Sequence, residues 1–313
     1  MSAGSARRRR RLGAAVVAAP LVASMLLTGC SSGPAADHSA DAEETGTAEP
    51  AELPGGGTEY FPGKRLIALY GHPDQPALGA LGEQGIDETI ARVRELAADY
   101  ADFDDAEPVP TLEIIATVAT AAPGPDGDYT AVTDPEKLRP WVDAAGEAGV
   151  QVLLDLQPGR ASFLDQARVY KDLLTEPHVG LALDPEWNLQ PGQVHLTQVG
   201  TVDAAEVNEV TAWLAELAGP DSPQKLLVVH QFQRRMIGGQ EDLEYARGPV
   251  RVLVHMDGQG APGDKEKTWA MVRDATGDAA PLGWKNFYRV DTPMLDPEET
   301  MAREPAPAMV SYQ

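Results

Sequence analysis

Three features of the 313-residue sequence predict an α/β fold, a TIM-like (β/α)8 barrel. Short apolar runs of strand length alternate with segments of helical periodicity, which implies a parallel sheet covered by helices. Eight such runs fit between Tyr60 and Gln313, the number and length expected of a closed barrel. Composition is even over that stretch, with no Pro/Gly-rich divider and no internal repeat, so residues 59–313 read as one domain. An open doubly wound sheet is the alternative. It loses weight because Tyr70-Gly71-His72-Pro73 follows the first strand, where a G-x-G-x-x-G phosphate loop would stand.

The predicted strands are Arg65–Tyr70, Leu112–Val118, Val150–Asp155, Val179–Leu183, Leu226–Gln231, Val250–Met256, Phe287–Val290 and Met309–Tyr312. Between the first two, Ile90, Val93, Leu96 and Tyr100 recur at helical spacing, and Val207, Val210, Leu214 and Leu217 do so after the fourth. Thr133-Asp134-Pro135-Glu136 opens the second helix with a capping residue and a proline at its first position, and Gly149 closes it. The last helix of the barrel has no candidate segment.

The N-terminal part is of another kind. Arg7 to Arg11 precede the apolar stretch Leu12 to Leu27, the pattern of a signal peptide over residues 1–29. The stretch is broken by Pro20 and is shorter than the about 20 apolar residues a spanning helix needs. Leu27-Thr28-Gly29-Cys30 resembles a bacterial lipobox, which implies that Cys30, the only cysteine, is lipidated and holds the protein on the extracytoplasmic side of the cell membrane. Residues 30–58 are rich in Ala, Gly, Pro, Glu and Ser and read as a disordered acidic tether. With no second cysteine, a disulfide framework and a thiolate metal site are both excluded. The formal net charge of −23 becomes −28 without residues 1–29, which carry five Arg and no acid. Such a field repels phosphate polymers, so nucleic acid is excluded as a partner and a neutral or cationic one is expected.

In a barrel, the C-terminal strand ends carry the site. Side chains alternate along a strand, so in Val179 to Glu186 the residues Gly180, Ala182, Asp184 and Glu186 share the axial face, provided that the extended backbone persists through Pro185. Asp155 and Gln157 end the third strand in the same way, and His255 and Asp257 the sixth. Tyr70 and His72 end the first, His230 and Gln231 the fifth, Tyr312 and Gln313 the eighth. Polar residues at the same end of six strands predict one pocket.

Paired inward carboxylates suit glycosidic bond cleavage. The D-x-E of Asp184 and Glu186 resembles that of chitinase-like and muramidase barrels, whose Glu is the proton donor. Against the pattern D-G-x-D-x-D-x-E the chain keeps Gly180, Asp184 and Glu186 but has Val179 and Ala182 where acids are expected. The resemblance implies Glu186 as general acid, Asp184 as its electrostatic neighbour, and Asp257 or Asp155 as the second carboxylate. Trp187, Trp284, Tyr70 and Tyr312 are candidate platforms for sugar rings, and Gln157, His72, His230, Gln231, His255 and Gln313 candidate polar contacts. The expected ligand is a neutral or cationic glycan of the cell envelope, and no cofactor or metal is expected.

Two other readings stay open. His72, His230 and His255 with Asp184 or Asp257 resemble the ligands of metal-dependent amidohydrolase barrels, although there is no H-x-H on the first strand. The missing acids at Val179 and Ala182 fit a barrel that binds a glycan or a partner without cleaving it.

Overall fold

Residues 51–313 are described by a computed structural model. The expected signal peptide, Cys30 and the expected tether up to residue 50 lie outside the described residues. Among the described residues, no helix is long and apolar enough to cross a membrane.

Eight parallel strands close into a barrel. They are β1 (Lys64–Gly71), β2 (Glu107–Ala119), β3 (Gln151–Leu156), β4 (Val179–Leu183), β5 (Lys225–Gln231), β6 (Val250–Met256), β7 (Leu282–Asn286) and β8 (Met309–Tyr312). Each pairs with its neighbours in sequence order, and β8 and β2 both pair with β1 to complete the ring. The open-sheet alternative is thereby removed. Helices α1 (Ile86–Ala98), α2 (Pro135–Glu147), α3 (Phe163–Val169), α4 (Lys171–Leu174), α5 (Ala204–Ala218), α6 (Pro262–Thr276) and α7 (Pro297–Met301) form the outer layer.

The helices sit where their sequences direct them. In α1, Ile90, Val93 and Ala97 are buried one turn apart, and in α5 Val207, Val210 and Leu214 are. Asp134 caps α2 by accepting the Glu136 backbone N–H at 3.0 Å, and Pro135 occupies the first turn. Between β5 and β6 no α-helix forms. That connection is built from the short 3-10 turns Arg234–Met236 and Gln240–Asp242 and from two-residue strand fragments.

Two corrections follow. The seventh strand is Leu282–Asn286, not Phe287–Val290. Tyr288 and Val290 are exposed in the turn that follows, so the apolar character of that run reflects surface placement and not a buried strand. The packed body also begins ahead of residue 59: Leu53, inside the expected tether, is buried with Tyr60 against Leu66, Leu153, Leu226 and Met309. Tyr60 donates from its hydroxyl to Gln151, and its backbone N–H donates to Gln224 Oε1 at 2.8 Å. Together these residues seal the N-terminal end of the barrel interior.

Strand register fixes which side chains meet on the axis. Glu113 lies beside Tyr70 and Leu153, Asp155 beside Ile115 and Ala182, and His255 beside His230 and Gly283. The last pairing needs a glycine, because a Cβ at residue 283 would lie 2.0 Å from His255 Nδ1.

Candidate active site

The axial residues form two tiers at the C-terminal end. The lower tier is a buried network centred on His230. Its Nε2 lies 2.8 Å from Glu113 Oε1, and its Nδ1 lies 3.0 Å from Asp257 Oδ2. Burial lowers the pKa of this imidazole, but the carboxylates on its two nitrogens outweigh burial and hold it well above 6.5. His230 is thus an imidazolium clamped between Glu113 and Asp257. The Tyr70 hydroxyl donates to Asp155 Oδ2 at 3.0 Å, and the Lys285 ammonium lies 3.5 Å from the centroid of the Tyr70 ring. His255 contacts Ser311 Oγ at 2.7 Å. Burial, then the positive charges of His230 and Lys285, hold His255 neutral, with its pKa well below 6.5.

The upper tier opens into a cavity of about 290 Å³, whose walls include Tyr70, Gln157, Asp184, Glu186, Trp187, Asp257, Lys285 and Gln313. Asp184 is the first residue past β4. It caps the 3-10 turn Pro185–Trp187, accepting the Glu186 backbone N–H at 3.3 Å. The extended backbone expected through Pro185 is therefore replaced by a turn, which swings Glu186 to the rim while keeping it on the cavity.

Two carboxyls in this cavity are driven in opposite directions. Burial, then the Asp257 charge, push Glu186 up to about 7. Burial also raises Asp257, but its hydrogen bond from His230 and the His230 and Lys285 charges outweigh that and hold it below 3.8. Among the described residues, Asp257 Oδ1 has no hydrogen-bond partner. Burial also raises Asp184, on the cavity wall, well above 3.8, and in the network beneath it raises Asp155 to about 6 against the opposing pull of His230.

Of the residues singled out from the sequence, Tyr70, Gln157, Asp184, Glu186, Trp187, Asp257 and Gln313 come together on the cavity. Asp155, His230 and His255 lie in the network beneath it. Four lie elsewhere, three of them because of strand parity. Trp284 is on the outer face of β7, packed edge-on to Trp269 of α6 at 5.7 Å, with its indole N–H donating to Asn286. Tyr312 is on the outer face of β8, its hydroxyl 2.6 Å from that of Tyr100. Gln231 turns outward and donates to Gln240 at 2.9 Å. His72 lies beyond the end of β1, with Nε2 3.2 Å from Thr133 Oγ1 and Nδ1 accepting from the Asp74 backbone.

Two central residues escaped the sequence reading. Glu113 is a lone acid inside the apolar run of β2, and its alternation with Leu112 and Ile114 was the available signal. Lys285 was hidden by the misplaced seventh strand.

Among the described residues, a cation could draw on two donor sets, Glu113, Asp155 and His230, or Asp184, His230 and Asp257, each with its donor atoms within 4.8 Å of one another. Both contain His230, whose two ring nitrogens are already taken by carboxylates, so either set would require the imidazole to give up one of them. The histidine trio of the amidohydrolase-like reading is not assembled, since His72 stands apart and His255 is tied to Ser311.

No protein-family model and no curated protein matches the sequence. Among solved structures, the chain is similar to a hyperthermophilic endo-β-1,4-glucanase in complex with substrate, at 11% identity and TM-score 0.41 over 80% of this chain and 88% of that one. It is similar to a sugar phosphate isomerase/epimerase from Parabacteroides distasonis at 12% identity and TM-score 0.39, covering 80% and 86%. A dihydropteroate synthase from Stenotrophomonas maltophilia aligns at 12% identity and TM-score 0.34, covering 80% and 87%.

Proposed function

We propose that the protein is a glycoside hydrolase, anchored through lipidated Cys30 on the extracytoplasmic face of the membrane, with Glu186 as its general acid. One observation carries this reading. Glu186 and Asp257 face the same cavity with opposite protonation preferences, and such a split assigns one carboxyl to donate a proton and the other to stay charged.

Glu186 is protonated below about pH 7 and transfers that proton to the leaving glycosidic oxygen as the bond to the anomeric carbon breaks. Asp257, ionised and on the cavity wall, supports the positive charge that develops on the sugar. Water supplies the hydroxyl that completes hydrolysis, and its remaining proton passes to a mouth carboxylate. His230 orients Asp257 by holding Oδ2, and Glu113 holds His230 from the other side. Trp187 offers an apolar face to a sugar ring beside the acid. Asp155 lies in register with Ala182, so the neighbouring strand supplies a carboxyl next to the place where the chitinase-like pattern expects one.

The test is turnover on a panel of cell-envelope glycans with analysis of released products. Glu186→Gln keeps the fold and glycan binding and loses about 10³-fold in turnover. Equal activity of the purified variant removes Glu186 from the mechanism, and tight binding with no product from the wild type makes this a glycan-binding barrel.

A further inference from the structure

Three cavities lie in series across the mouth. The central one shares Glu186 and Trp187 with a second, of about 340 Å³, that continues over the loop after β4 along His195 to Val199. On its other side it shares Gln259, Phe287 and Gln313 with a third, of about 160 Å³, bordered by Tyr288 and Val290. In the ring of eight strands β4 and β8 are diametrically opposite, so the series runs across the full mouth and not around its rim.

Both ends reach the surface. Leu196 at one end is 84% exposed and sits at φ 64°, a conformation leucine rarely adopts; Tyr288 and Val290 at the other are also exposed. Exposed apolar side chains at both ends, with Trp187, Phe232 and Phe287 between them, form a discontinuous apolar floor. The carboxyls of Asp184, Glu186 and Asp257 share the centre with Lys285, whereas Arg289 at the third cavity is paired with Glu83 at 2.7 Å.

We propose that this groove holds an extended, unbranched glycan chain of at least three units, about one per cavity, with Glu186 between two bound units. The proposal rests on the catalytic reading above and assigns it an internal, endo-acting mode of cleavage. A single-sugar site would be one enclosed cavity, whereas here the chain enters past Leu196 and leaves past Tyr288.

The experiment titrates purified Glu186→Gln protein calorimetrically with cello- and chito-oligosaccharides of two to six units, and follows wild-type cleavage of the same series. In at least one series, affinity rises ~tenfold or more from two to five units. Leu196→Asp and Tyr288→Ala each remove at least about threefold of that gain. Affinity that is flat with length, or no binding by either series, overturns the proposal. Flat affinity with Glu186-dependent cleavage of short substrates overturns the groove and leaves the acid in place. A gain with length and no wild-type cleavage keeps the groove and removes the catalytic reading.

Discussion

The two ends of the barrel interior are built by the same strands, often only two residues apart, yet they obey different rules. At the N-terminal end Leu153, Ala182, Val228 and Leu253 point to the axis, fully buried and packed with Leu53 and Tyr60. One axial step further along the same strands, these positions become Asp155, Asp184, His230 and His255. Among the described residues, four of the buried polar atoms without a partner lie at this polar end: Glu113 Oε2, Asp155 Oδ1, His255 Nδ1 and Asp257 Oδ1. Each such atom costs roughly 1–3 kcal/mol. The apolar end supplies stability and the polar end consumes it, the division expected where a site is grafted onto a rigid support.

Substitutions at the two ends should therefore separate rate from stability. The largest expected effect is that of Glu186→Gln, about 10³-fold in turnover, with a melting temperature unchanged within measurement. Leu153→Ala should do the reverse, destabilising by about 2–5 kcal/mol in denaturant titration while the folded fraction keeps its turnover. If both substitutions lower both quantities alike, the two ends are not separable.

The pH dependence sharpens the contrast. Turnover should fall about tenfold per pH unit above about 7, as Glu186 loses its proton, and should persist to below the usual carboxylate range because Asp257 stays ionised there. Glu186→Gln abolishes the basic limb; a limb that survives in residual activity assigns it to another group.

The smallest effect concerns stability. Asp155 is raised from 3.8 to about 6, so the native state binds its proton more tightly than the unfolded chain does. Its stabilising contribution is complete below pH 3.8 and is lost as pH rises through about 6. The melting temperature should thus fall by a few degrees over this window, and Asp155→Asn should flatten the fall. A steeper fall in the variant would contradict burial as the cause of the shift.

Most of the barrel was legible because strand and helix periodicities are local. Seven predicted strands overlap the observed ones, and Asp134-Pro135 marked its helix start correctly. The seventh strand was not legible. Leu282 to Asn286 contains Lys285 and Asn286, polar residues buried only because neighbouring strands and α6 surround them, whereas the more apolar Phe287 to Val290 lies largely at the surface. That one displacement left Lys285 out of the expected site, and Trp284, expected there as a sugar platform, packs on the outer face of β7 against Trp269. Tyr312 and Gln231 failed differently: each is next to an axial residue in sequence and points the opposite way, so a list of strand ends without parity could not separate them.

The sequence by itself determined the repeating alternation, the one-sided polarity of the strand ends, and the D-x-E at the end of β4, because each is a property of residues close together along the chain. Only the tertiary structure decided that His230 is gripped by Glu113 and Asp257, residues 117 and 27 positions away. Only closure of the ring placed Glu186 and Asp257 on one cavity with opposed proton affinities, since those affinities arise from burial and from charges that meet through space.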